Sequence, residues 1–122
     1  MVRDRVLCGL YCCCEAWARL PLLFQPGTEW NYSVATDVLG RVIEVISGQS
    51  LDRFFAERIF QPLGMSDTRF WAPEDASGRL AAFYAPQPGT LRAVRSDTMD
   101  RVTRQPPICC LGGDGLVSTV AD

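Results

Sequence analysis

The sequence predicts a mostly α-helical chain with little sheet. Residues 33–47 place apolar side chains three and four positions apart, which is the spacing of one face of a helix. Residues 51–59 repeat this spacing with leucine, phenylalanine and isoleucine. Between residues 72 and 100 several prolines and glycines interrupt any long period, so only short extended pieces are expected there, at 81–84 and 91–94.

The N-terminal part of the chain allows more than one interpretation. A helix is expected from about residue 13 to residue 20, because Pro21 cannot continue it. Residues 1–14 combine early arginines with an apolar run, which also outlines a secretory signal. A non-native start is a third possibility for this segment. Residues 15–122 are expected to form part of one domain, since 122 residues suffice for one core.

The two central helices have recognisable ends. The helix over residues 33–47 is followed directly by a glycine, which favours a C-terminal stop. On its polar side, Asp37 and Glu44 are interpreted as solvated residues. The next helix is expected to begin at Ser50, a good N-cap residue, and to end at Pro62.

The C-terminal part carries a glycine-rich turn over residues 112–115. Ser118 or Thr119 follows it and could cap a helix that starts near Val120.

Composition excludes several classes of function. The net charge is −2, so no strong field favours nucleic acid or an anionic membrane as a partner. No apolar run is long enough to span a membrane. All twelve basic residues are arginine, and the chain contains neither lysine nor histidine. A Ser-His-Asp triad, a histidine metal ligand and a Ser-x-x-Lys pair are therefore excluded within this chain.

The six cysteines favour free, buried thiols over a cofactor or metal site. They lack the Cys-x-x-Cys spacing of zinc ribbons and thioredoxin-like motifs. A metal site built from four of them stays open as an alternative, and no cofactor is expected. The six residues are Cys8, Cys12, Cys13, Cys14, Cys109 and Cys110.

The stretch before the strongest helix combines a turn with an aromatic-polar cluster. Pro26 opens the turn with a glycine after it, and Trp30 offers a large apolar anchor. Asn31 or Ser33 can accept a hydrogen bond from a free helical N–H. Tyr32 then lies at the positive end of the helix, where a phenol can act as a general base or simply pack and donate a hydrogen bond.

Two motifs stand out in this chain. They are Pro26-Gly27, Trp30, Tyr32-Ser33 and Leu39-Gly40, and the run from Phe60 to Phe70 through Pro62-Leu63-Gly64-Met65 and Asp67-Thr68. Both resemble motifs of the serine β-lactamase-related hydrolases, and the closer resemblance is to the class C-like branch, which includes family VIII carboxylesterases, amide hydrolases and acyltransferases. The resemblance implies an α/β (α+β) serine β-lactamase/transpeptidase-like fold, in which an antiparallel sheet is flanked by helices and joined by an all-helical lobe.

The resemblance also implies roles for individual residues. Family members use a serine in Ser-x-x-Lys as acyl nucleophile, and Tyr32 corresponds to the tyrosine that serves as general base or proton relay. Val34 stands where many β-lactamases have an asparagine that hydrogen-bonds the substrate, which favours esters over β-lactams. The implied substrate-binding residues are Ser33, Val34, Gly112, Gly113 and Gly115.

The sequence therefore predicts a fragment of a serine hydrolase that acts on small-molecule esters, amides or β-lactam-like acyl substrates. Because the Ser-x-x-Lys motif is missing, the chain alone is expected to be inactive. A stand-alone helical module that binds a ligand or a partner, without catalysis, is the main alternative. A cytoplasmic location is favoured over a secreted or periplasmic one, and the sequence does not determine the oligomeric state.

Overall fold

The structure is a computed structural model that describes residues 8–96 and 103–122. The first seven residues of the signal-like segment lie outside the described part. The chain divides into two compact units, the first from Met1–Met65 and Ile108–Asp114, the second from Ser66–Pro107 and Gly115–Asp122. The first unit contains α1 (Cys8–Trp17), α2 (Ala35–Ser47), α3 (Leu51–Phe55), a π-helical turn (Ala56–Phe60) and α4 (Gln61–Leu63). The second contains a 3-10 helix (Glu74–Arg79) and strands β1 (Tyr84–Pro86) and β2 (Ala93–Arg95).

Helix α1 begins earlier and ends earlier than the sequence predicts. It covers Cys8–Trp17, whereas residues 13–20 were expected. The apolar run of residues 8–14 is therefore part of a helix that contacts α2. Beyond Trp17 the backbone tightens, because the N–H of Leu20 bonds to the carbonyl of Trp17 three residues back at 3.0 Å. This turn leads into Pro21, which has no N–H to extend the helix.

Helix α2 ends as predicted. Gly48 adopts φ 69° and donates its N–H to the carbonyl of Glu44 at 2.9 Å, which confirms the glycine stop. The polar side of α2 differs from the prediction, because the Glu44 side chain is only 9% exposed. Glu44 pairs with Arg41 at 3.2 Å and accepts the N–H of Leu51 at 3.2 Å. It is therefore a structural residue and not a solvated one.

The apolar side of α2 is largely open to solvent in this chain. Ile46 is 81% exposed and Leu39 is 56% exposed. The 3.6-residue period was read correctly as a helix, but the side that packs within the first unit is the one carrying Gly40, Arg41 and Glu44.

Residues 51–63 form one helical run with a wider turn in the middle. Ser50 occupies the predicted N-cap position, but its side chain makes no cap bond, and the Glu44 carboxylate binds the free Leu51 N–H instead. Pro62 lies inside the last turn, so the predicted end at Pro62 is wrong. The π-helical turn just before it relaxes the steric conflict between the proline ring and the preceding turn. Gly64, at φ 72°, ends the run.

The core of the first unit is small. Leu51 is fully buried and Phe60 is 8% exposed. The rings of Phe55 and Phe60 meet edge to face, with centroids 5.9 Å apart.

The second unit joins its two ends through a short antiparallel bridge between Arg69 and Val117, with N–O distances of 3.0 and 2.8 Å. Phe70 and Ala72, next to this bridge, are buried. The two predicted extended pieces form a hairpin, with their ends shifted by one to three residues, in which Tyr84 pairs with Arg95.

Thr119 Oγ1 accepts the N–H of Asp122, three residues later, at 3.4 Å, which is the bond expected of the predicted cap. Residues 120–122 are too few to test the helix expected to start near Val120, which stays a prediction. Within the described ranges, no helix is long and apolar enough to cross a bilayer.

Candidate functional site

The turn before α2 forms as the sequence predicts. Gly27 has φ 85°, the left-handed conformation that glycine adopts at low cost. The N–H and the hydroxyl of Thr28 both donate to the carbonyl of Gln25, at 3.2 and 2.7 Å. Pro26 therefore occupies the second position of a four-residue turn, where its fixed φ is favourable.

The aromatic residues after this turn point into open space. Tyr32 is 87% exposed, and its phenol is not enclosed by apolar packing in this chain. Trp30 is also 87% exposed, so the expectation that it anchors the turn is wrong within the described part of the chain. The ring of Tyr32 is therefore accessible to a ligand that approaches the start of α2.

Ser33 and Val34 make the transition into α2. The Ser33 hydroxyl accepts the N–H of Ala35 at 3.2 Å, which confirms that Ser33 can satisfy a free helical donor. Val34 is the N-cap residue, and its carbonyl accepts the N–H groups of Asp37 and Val38 at 3.0 and 3.1 Å. The helix begins two residues later than predicted, so Tyr32 lies three residues before the first helical residue.

Gly112 and Gly113, called here the glycine pair, pack against the first turn of α2 in the same unit. The N–H of Gly113 donates to Asp37 Oδ1 at 2.9 Å. A Cβ on Gly112 would lie only 2.9 Å from the carbonyl carbon of Thr36 and closer still to its oxygen. The structure thus brings the glycine pair to the helix that follows Tyr32, Ser33 and Val34.

Gly115, the last predicted site residue, belongs to the second unit. It has φ 91°, and a Cβ built on it would come 3.8 Å from Phe70 Cδ1. Its glycine requirement therefore comes from backbone conformation rather than from crowding.

Sequence reasoning missed Asp37 and Gly40. Asp37 was read as solvated, yet it binds the backbone of the glycine pair across 76 positions of sequence. A Cβ on Gly40 would lie 3.4 Å from Gly112 Cα and 3.0 Å from Leu51 Cδ2. Their spacing of three residues puts Asp37 and Gly40 on one side of α2, which was the available signal.

The thiols form no reactive centre among the described residues. Cys13, Cys14, Cys109 and Cys110 are free. Burial raises the pKa of Cys110 to about 12, and burial also raises the pKa values of Cys14 and Cys109. These three thiols are therefore protonated at neutral pH and weak as nucleophiles or metal ligands.

The cysteine metal site also finds no support among the described residues. No group of three or more cysteine, aspartate, glutamate or histidine side chains there could hold a metal ion. The side chains of Cys8 and Cys12, which belong to this hypothesis, lie outside the described part of the chain.

Comparison with known proteins decides the family. The sequence model of the Beta-lactamase family matches residues 13–122. The chain belongs to the β-lactamase family. This membership accounts for both sequence motifs and for the turn that carries Tyr32.

Relatives of this β-lactamase-family chain include esterases. Protein Rv1367c of Mycobacterium tuberculosis is 39% identical over 107 residues, which is 88% of this chain and 26% of that protein. Lovastatin esterase of Penicillium rubens is 44% identical over 73 residues, covering 58% of this chain and 18% of the esterase. Esterase EstB of Burkholderia gladioli is 42% identical over 78 residues, covering 62% of this chain and 19% of EstB. The chain thus spans about a quarter or less of these relatives.

Solved structures show the same fold. EstCE1, a hydrolase with promiscuous acyltransferase activity, superposes with a TM-score of 0.77 at 27% identity, covering 92% of this chain and 32% of EstCE1. Simvastatin synthase (LovD) from Aspergillus terreus, in its LovD6 mutant, superposes with a TM-score of 0.69 at 28% identity. The match covers 83% of this chain and 25% of the synthase. The β-lactamase-like fold is therefore present here as a mostly helical portion that has, among the described residues, a small two-stranded sheet.

Proposed function

We propose that this chain is part of a serine hydrolase that cleaves small-molecule esters through an acyl-enzyme, with Tyr32 as general base or proton relay. The observation that carries the proposal is the exposed phenol of Tyr32 just before α2, the helix against which the glycine pair packs. An accessible phenol held beside a helix N-terminus can accept a proton from a hydroxyl and return it to a leaving group.

Esters are the favoured substrates over amides and β-lactams. The side chain of Val34 has no amide to hydrogen-bond a lactam or peptide group, and two of the relatives are named as esterases. In the first unit the proposed substrate contacts are Ser33, Val34 and the glycine pair. The N–H of Gly113 is already bonded to Asp37. Gly113 is therefore expected to contact the substrate by packing and not by donating a hydrogen bond. Gly115 remains a candidate contact through the family resemblance.

The nucleophile has to come from residues outside this sequence, because a Ser-x-x-Lys pair needs a lysine and this chain has none. In the proposed reaction the serine oxygen bonds to the acyl carbon while its proton passes to the base. The bond from the acyl carbon to the alcohol oxygen then breaks, and the alcohol leaves with that proton. Water attacks the acyl-enzyme in the same way, with Tyr32 relaying its proton, and restores the serine.

Hydrolysis of p-nitrophenyl butyrate tests this proposal. The 122-residue chain is compared with a longer polypeptide that carries the encoded sequence on both sides of it. We expect turnover only from the longer polypeptide, and we expect Tyr32→Phe to lower its kcat by about a hundredfold or more, since a proton-transferring group contributes that much. Tyr84→Phe, which removes the hydroxyl of an exposed strand tyrosine, is the matched control and should leave kcat unchanged.

Absent turnover in the unsubstituted longer polypeptide would contradict the proposal, and so would two further results. One is turnover by the 122-residue chain that survives Tyr32→Phe, since the chemistry would then need neither the missing motif nor the phenol. The other is an equal kcat for the longer polypeptide with and without Tyr32→Phe. Faster cleavage of nitrocefin than of the ester would move the substrate class to β-lactams while leaving the role of Tyr32 intact.

A non-catalytic binding module is the second candidate, and the open apolar side of α2 favours it. Val45 and Ile46 are 64% and 81% exposed, and such a surface on a helix commonly receives a partner. A chain that stays monomeric at high concentration in sedimentation, with no ester turnover in the longer polypeptide, would support this candidate over the hydrolase.

A further inference from the structure

One carboxylate links α2 to the glycine pair. Asp37 lies in the first turn of α2, five residues after Tyr32, and its Oδ1 accepts the N–H of Gly113 at 2.9 Å. A hydrogen bond to an ionised carboxylate is roughly twice as strong as one between neutral groups. Its two ends are 76 positions apart in the chain, so it is a tertiary contact and not a local cap.

The glycine pair contributes no side chain to the contact around this bond, and it lies against the backbone of Thr36 and the side chains of Thr36 and Asp37. A Cβ on Gly113 would lie 2.9 Å from Thr36 Oγ1 and 3.1 Å from Asp37 Oδ1. Gly40, one turn further along α2, approaches the backbone of Gly112 in the same way. Interdigitated side chains normally prevent two elements from sliding past each other. The glycine pair has no side chain that could interlock with α2 in this way, so the directional bond to Asp37 sets the register.

We propose that Asp37 is a positioning residue that fixes the glycine pair relative to α2, the helix that follows Tyr32. Its catalytic consequence rests on the proposed function. Asp37 acts through the backbone of Gly113 and does not itself touch the substrate. Without the bond, the glycine pair, which is a proposed substrate contact, shifts along α2. A displacement of about 1 Å can lower a rate roughly a hundredfold.

Two substitutions at Asp37 separate positioning from other roles. Asp37→Asn keeps an oxygen acceptor of the same reach, whereas Asp37→Leu removes the acceptor at similar volume. Asp75→Leu, on the exposed 3-10 helix of the second unit, is the matched control for the loss of a carboxylate. Two measurements are made: amide hydrogen exchange at Gly113 in the 122-residue chain, and ester kinetics in the longer polypeptide.

The expected pattern is specific to positioning. Asp37→Leu should abolish exchange protection at Gly113 and lower kcat by about ten- to a hundredfold, while the midpoint of the pH–rate profile stays in place because Asp37 is not the base. Asp37→Asn should keep protection and keep kcat within about threefold, since the geometry is retained. Asp75→Leu should match the wild type in both measurements.

Three results would overturn the inference. Unchanged protection of the Gly113 amide from hydrogen exchange in Asp37→Leu would show that the Gly113 N–H is not bonded to Asp37. Loss of this protection in Asp37→Leu with a kcat equal to that of the wild type would show that the contact has no catalytic role. A kcat loss in Asp37→Asn as large as in Asp37→Leu, with protection intact, would assign the effect to charge. Failure of the proposed function is distinct from these, because it appears as absent turnover in the unsubstituted longer polypeptide.

Discussion

Each of the two units contains a contact between distant parts of the chain that depends on a different property of its residues. In the first unit the glycine pair packs on α2, and the contact depends on the absence of side chains. In the second unit the buried Thr68 hydroxyl bonds to Ser118 Oγ at 2.7 Å and to Asp122 Oδ2 at 2.9 Å. The second contact therefore depends on polar atoms being present and correctly paired.

This difference determines which changes each contact tolerates. A backbone-to-backbone contact is sensitive to added volume, because backbone atoms cannot rotate away from a new methyl group. A hydroxyl–carboxylate cluster accepts small changes in volume but loses stability when a partner is removed. Two substitutions test the comparison, and a third tests an exposed ion pair of the second unit as the weakest case.

Gly112→Ala should have the largest effect. Its new methyl group would collide with the carbonyl of Thr36, so the segment has to move and the bond from Gly113 to Asp37 is lost. We expect the free energy of unfolding to fall by about 2–3 kcal/mol, as for strongly overpacked sites, measured by urea denaturation. Gly78→Ala is the control, because nothing lies within 4 Å of its new methyl group. Equal urea midpoints for the two variants would contradict the close contact.

Thr68→Val should have an intermediate effect. It removes the hydroxyl from a residue that is only 7% exposed, and Ser118 and Asp122 each lose a partner. The expected loss is about 1–2 kcal/mol in the same denaturation experiment. Thr90→Val removes a hydroxyl that also makes two hydrogen bonds, but on the exposed hairpin turn, and should cost less than about 0.5 kcal/mol. A larger loss at Thr90 than at Thr68 would show that burial does not strengthen the cluster.

Asp67→Asn should have the smallest effect, and the effect should depend on pH. Arg79 binds both carboxylate oxygens of Asp67, at 2.8 and 2.6 Å, and these bonds lower the pKa of Asp67. A lowered pKa in the folded state means that the stabilisation is present above the unfolded pKa of about 3.9 and is lost as pH falls through the folded pKa.

Thermal unfolding between pH 7 and pH 3 measures this dependence. The Tm of Asp67→Asn should lie slightly below that of the wild type at pH 7, because the pair is solvent-accessible, and the gap should close as pH falls below about 4. Added salt should narrow the gap at pH 7, since exposed ion pairs are screened. A gap that widens on acidification would show that Arg79 does not favour the ionised carboxyl.

Much of the site was predictable because its signals are local. The turn at Pro26 needs only a proline and a glycine in sequence, and the end of α2 needs only Gly48 in the left-handed region. Ser33 finds its donor two residues away. The role of Pro62 was not predictable in this way, because its helix widens into a π-helical turn before it.

The sequence by itself determined where α2 forms, where it ends, and that Tyr32 stands just before it, since these depend on neighbouring residues. Only the tertiary structure decided which side of α2 packs inside this chain. Periodicity shows that an apolar side exists, but it does not show whether another segment covers it. The same holds for Asp37 and Glu44, which looked solvated until Gly113 and Leu51 supplied donors from elsewhere in the fold. A polar side chain on a helix surface is solvated or structural according to the segment that reaches it, and helical spacing carries no information about that segment.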